Sequence, residues 1–205
     1  TQAIQSKLDA LTDGEELARF PATLAFQSAA DATVTAPALV TGLFDRLAGG
    51  EHELVVFDIN RFTDIEPILA RDPDAWLREI LSDAGNSFTI SVVTNESEQE
   101  REVVLRRRGP DTAEISETRL GLRWPRGLYS LSHVSLPFPA DDPLYGDADG
   151  GGSPGIQLGT LALRGERGVL LVGAQEMLRL RWNPFYSYIR ERTLELADER
   201  APARR

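Results

Sequence analysis

The chain contains no cysteine, a single methionine and only two histidines, His52 and His133, in 205 residues. Without cysteine there is no disulfide, no thiolate nucleophile and no sulfur-held metal. Two histidines so far apart supply no zinc spacing, so no metal is expected. No apolar run approaches the eighteen or so residues of a membrane-crossing helix. The opening Thr1-Gln2-Ala3-Ile4 has neither the basic nor the apolar stretch of a signal peptide. Positive charge is scarce as well: 22 Lys and Arg against 32 Asp and Glu give a net charge of −10. That balance argues against nucleic acid as a partner, because phosphate binding needs clustered cations. Arg106-Arg107-Arg108 is the one basic cluster, and it reads as a solvated strand end.

What remains has an α/β rhythm. Ile4, Leu8 and Leu11 have helical spacing. Pro21 introduces Ala22 to Phe26, a compact run suited to a buried parallel strand. Thr35 can cap, and Pro37 can open, a helix burying Leu39, Val40, Leu43, Phe44 and Leu47 before Gly49-Gly50. Glu53 to Asp58 is a second strand, so strand, helix and strand predict a right-handed crossover in a parallel sheet. Asp72-Pro73 opens a helix with Trp76, Leu77, Ile80 and Leu81, closed near Gly85. Phe88 to Thr94 and Glu102 to Arg107 predict a hairpin. Residues 147–155 form a glycine-rich loop, Ile156 to Leu163 and Val169 to Val172 a second hairpin, and Asn183-Pro184 caps a last helix.

Two segments carry chemistry. Phe26-Gln27-Ser28-Ala29-Ala30-Asp31 puts an acid in a tight loop past a strand, where parallel sheets place their sites. Tyr129 to Phe138 carries His133, about a hundred residues later. An acid followed by a histidine is the order of the last two members of an α/β-hydrolase triad. Asp31 also reads as a turn or N-cap aspartate, and His133 as an inert histidine in an apolar strand. The literal Gly-x-Ser-x-Gly, Gly151 to Gly155, fails as a nucleophile elbow. Pro154 has no N–H to give an oxyanion, and the motif follows the acid and base instead of preceding them. His52 precedes its strand and reads as a surface histidine. Asp141, Asp142, Asp147 and Asp149 read as a solvated loop without calcium spacing.

Three stretches, Phe20–Arg61, Leu128–Gly146 and Gly165–Tyr188, resemble bacterial α/β-hydrolases of the monoglyceride lipase, lysophospholipase and serine aminopeptidase branch. The marks are Pro21 with Phe26-Gln27-Ser28 and Asp31-Ala32-Thr33-Val34, then Phe57-Asp58-Ile59-Asn60-Arg61. Further along stand Ser132-His133-Val134, Pro137-Phe138-Pro139, Asp141 to Gly146, and Asn183-Pro184-Phe185-Tyr186. The resemblance implies Asp31 as triad acid, His133 as triad base, and a serine elbow upstream of Thr1.

The expected fold is therefore α/β: the C-terminal portion of an α/β-hydrolase sheet, mostly parallel, with helices on both faces and an inserted helix and β-hairpin. Residues 1–205 form a partial hydrolase domain in which 60–126 is an insertion. The resemblance implies hydrolysis of a lysolipid or small acyl ester, without cofactor. Partners would be the ester and the missing N-terminal half, and the cut sheet also suits a homo-oligomer. An amide or peptide hydrolase, or a non-catalytic interaction domain, remains the alternative.

Overall fold

A computed structural model describes residues 20–32, 34–47, 51–63, 69–70, 72–125, 128, 130–131, 138–143 and 182–199. The expected opening helix, the loop 147–155, the second hairpin and His133 itself lie outside the described residues.

Five strands form one open sheet in the order β1-β2-β3-β4-β5. Leu24–Ser28 (β1), Glu53–Phe57 (β2) and Thr89–Asn95 (β3) run parallel. Glu102–Arg108 (β4) turns back antiparallel to β3, and Ile115–Arg123 (β5) antiparallel to β4. The helices are Ala36–Gly42 (α1), Asp74–Ser82 (α2) and Tyr186–Glu199 (α3), with a 3-10 turn at Phe44–Arg46. β1-α1-β2-α2-β3 is thus a double crossover, as the alternating strand and helix patterns require.

β2 explains the layering. Its residues point alternately to opposite faces, and all five are buried. Leu54 and Val56 join Val40 and Phe44 on the α1 side and Leu77 and Ile80 of α2. Val55 and Phe57 join Leu131, Trp124, and Phe185 and Tyr188 near the start of α3. One core lies on each face, and Phe185 ties the second together, with ring centroids 5.2 Å from Phe57 and 4.9 Å from Trp124.

Helix starts follow local chemistry. Thr35 Oγ1 accepts from Ala38 N at 3.3 Å, with proline in the first turn of α1. Asp72 Oδ1 accepts from Asp74 N at 2.9 Å ahead of α2. Asn183 Oδ1 accepts from Phe185 N at 2.9 Å ahead of α3.

The 60–126 segment holds α2 and β3 to β5, and β3 is the middle strand of the described sheet, with all seven of its residues buried. Two expectations change. His52 is 2% exposed, not a surface residue, although it does precede β2 at the N-terminal edge. Arg108 is fully buried, not solvated. Its guanidinium donates to the carbonyls of Ile80, Gly109 and Thr112, so it ties β4 to α2 and to the following loop.

Candidate functional site

Asp31 sits beyond β1 at the C-terminal edge of the parallel strands. Ala29 N donates to Phe57 O at 2.8 Å, which carries the β1–β2 pairing one residue past the strand. The chain then turns, and Asp31 N donates to Ser28 O at 3.2 Å. The carboxylate is held from two sides: Oδ1 accepts from Val34 N at 3.1 Å, and Oδ2 from Gln27 Nε2 at 3.2 Å. Gln27 also donates to Val34 O at 2.6 Å, so one buried amide holds both Asp31 and Val34. The bond from Val34 is what a turn aspartate makes. The clamp from Gln27 additionally fixes the carboxylate's direction.

His133 lies outside the described residues. The chain on either side of it is anchored. Leu128 O accepts from Asn60 Nδ2 at 2.8 Å, Ser130 is buried, and Leu131 is fully buried in the α3-side core. Past the histidine, Phe138 O accepts from Asn183 N at 2.8 Å, just before α3. Ser153 of the false elbow is likewise outside the described residues.

Beyond β2, at the same edge, is a buried polar network to which the sequence reading gave no role. Asp58 takes a two-pronged hydrogen bond from Arg61, Nε to Oδ2 at 3.0 Å and an Nη to Oδ1 at 2.9 Å. It also accepts from Thr94 Oγ1 at 2.8 Å and from Ile59 N at 2.7 Å. Arg61 reaches Asp74 at the start of α2 as well. Burial pulls the Arg61 pKa down, but the hydrogen bonds and charges of Asp58 and Asp74 outweigh it and hold the guanidinium above its ordinary value. Asn95 Oδ1 accepts from Arg61 N at 2.7 Å, and its amide donates to Glu100 O at 2.9 Å. The sequence signal was available: an apolar strand ending in Asp58-Ile59-Asn60-Arg61, acid and base three apart.

A cavity of about 150 Å³ opens beside Asp31. Its lining comes from the loop after β1, the start of α1, and the Asp72-Pro73 approach to α2 with Trp76. Among the described residues, no group of three His, Asp or Glu side chains could hold a metal, and no helix is long and apolar enough to cross a membrane. Searches of family models, curated proteins and solved structures match this chain to none of them, so what is established is an α/β fold with an acid held at the C-terminal edge of its parallel strands.

Proposed function

We propose that this chain is the acid- and histidine-bearing C-terminal part of a serine hydrolase that cleaves carboxylic esters. One observation carries the reading: the loops after β1 and β2 and the chain approaching His133 converge on one edge of the sheet. Asp31 stands on the first loop, Asn60 on the second, and Asn60 holds Leu128, five residues before the histidine. His133 follows Leu131 by two residues, a reach of about 7 Å at full extension.

In this mechanism a serine upstream of Thr1 attacks the ester carbonyl while His133 takes its proton. Asp31 accepts from imidazole Nδ1–H, fixes the tautomer and stabilises the imidazolium. His133 then protonates the departing alkoxide, and water repeats the sequence on the acyl-enzyme. The clamp on Asp31 suits this role, because a carboxylate with a fixed direction orients the imidazole without rearranging.

The test is turnover of a short-chain aryl ester by the full-length protein. Asp31→Asn should lower kcat by about 10⁴, and His133→Ala by at least as much. The double variant should lose little more, because triad members act as a unit. Ser153→Ala should leave turnover intact. Full activity in His133→Ala, or collapse in Ser153→Ala, would overturn the reading.

A further inference from the structure

We propose that Gln27 is a positioning residue for catalysis: its amide holds the Asp31 carboxylate in one direction, so that losing it slows turnover without touching the substrate. This rests on the hydrolase reading and adds to that site a member outside the triad.

The partners fix which end of the amide faces the acid. Gln27 reaches Asp31 Oδ2 at 3.2 Å and Val34 O at 2.6 Å. An ionised carboxylate and a backbone carbonyl only accept hydrogen bonds, so the amide nitrogen with its two N–H groups must face both. The other carboxylate oxygen, Oδ1, takes Val34 N at 3.1 Å, from the same loop as Asp31. That bond moves with the loop. The bond from Gln27 does not, because Gln27 belongs to β1 and pairs with Val56 of β2. Gln27 is also buried, so water competes poorly for its amide. A donor carried by a strand places a charged group more precisely than one carried by a loop.

Two substitutions separate the amide's donor from its bulk. Gln27→Leu keeps the volume and removes the N–H groups. Gln27→Glu keeps the shape but sets a new carboxyl against two acceptors, so the contact survives only while a proton is shared there. Asp31 is the titratable group that the amide touches. Asp72, which lines the same cavity as Asp31, is exposed, and its Oδ1 accepts from Asp74 N. A second carboxyl beside Asp31 makes loss of the shared proton harder, which carries the effect to higher pH than for a lone carboxyl.

Turnover of a short-chain aryl ester by the full-length protein is followed across pH in wild type, Gln27→Leu, Gln27→Glu and Asp31→Asn. Circular dichroism at each pH gives the folded fraction, and kcat is taken per folded molecule. Gln27→Leu should lower kcat by about tenfold to hundredfold at every pH, with KM kept within about twofold. Gln27→Glu should come nearest to wild type at the acidic end, and its kcat relative to wild type should fall as pH rises and the shared proton leaves. Wild-type kcat in Gln27→Leu, or a relative kcat of Gln27→Glu that does not change with pH, would overturn the positioning role, and an inactive Asp31→Asn beside either result would leave the hydrolase reading standing. Full turnover in Asp31→Asn would overturn both.

Discussion

Asn60 is 1% exposed and uses both ends of its amide. Its Nδ2 donates to Thr63 Oγ1 at 3.1 Å and to Leu128 O at 2.8 Å, and its Oδ1 accepts from Phe62 N at 3.2 Å. A buried side chain so occupied is costly to remove, because its partners lose hydrogen bonds that water cannot easily replace. Asn60→Ala should destabilise by about 2–3 kcal/mol, and Thr63→Ala, which ends one of those bonds, by about 1 kcal/mol. Urea titration of the two variants beside wild type checks the ranking. Equal losses would mean that the contacts with Leu128 and Phe62 contribute nothing. Sequence reading put Asp31 in a loop after a strand, where it lies, but gave no role to Gln27, which holds its carboxylate, or to Asn60, which holds Leu128. Both are ordinary polar residues in sequence, and only folding brings Gln27 to Asp31 and Asn60 to a carbonyl 68 residues away.

At the scale of elements, α3 is held to the sheet by more than Phe185. Glu53 is buried at the start of β2, accepts from Ser91 Oγ at 2.6 Å and pairs with Arg192 of α3 at 2.7 Å. Arg107 of β4 approaches the same carboxylate at 3.4 Å. Removing one partner from a buried pair strands the other charge, so Glu53→Gln should cost about 2–4 kcal/mol. The lower part of that range allows for Arg192 retaining Glu195 at 3.2 Å. Tyr188 beside this cluster has its pKa raised, chiefly by burial and then by the Glu53 charge. A raised folded-state value means that stability is intact below the ordinary tyrosine pKa of about 10 and falls as pH climbs past it. Thermal melting across alkaline pH should show that fall in wild type and a smaller one in Tyr188→Phe. An identical pH dependence in the two would exclude Tyr188 as the cause.

The same scale shows which elements were legible. The crossover and the β3–β4 hairpin stood out because apolar runs punctuated by Pro37, Pro73 and Gly85 encode buried strands and capped helices locally. β1 ends at Ser28, two residues later than expected, because Gln27 and Ser28 pair with Val56 and Phe57 despite their polarity. β5 went unread for the opposite reason. It is mostly exposed, its Arg119 and Arg123 join ion pairs with Glu96 and Glu102, and only Leu120 and Leu122 of its nine residues pack against the core, too short an alternation to mark it. Such charges suit an edge strand that must not recruit another chain.

For the molecule as a whole, the sheet places its acid, its buried Asp58–Arg61 network and the approach to His133 at one edge. The opposite edge holds the Glu53–Arg192 latch. Under the proposed function, this division would put chemistry at the strand C-termini, where α/β folds place their sites, and stability at the other edge. The hydrolase reading adds a nucleophile that the 205 residues do not supply, so the most direct measurement looks for that nucleophile. The full-length protein is treated with a fluorophosphonate probe, and the adduct is located by peptide mass spectrometry. The account predicts one modified serine, upstream of Thr1, with labelling abolished in His133→Ala and strongly slowed in Asp31→Asn. Labelling of Ser153, or undiminished labelling in His133→Ala, would contradict it.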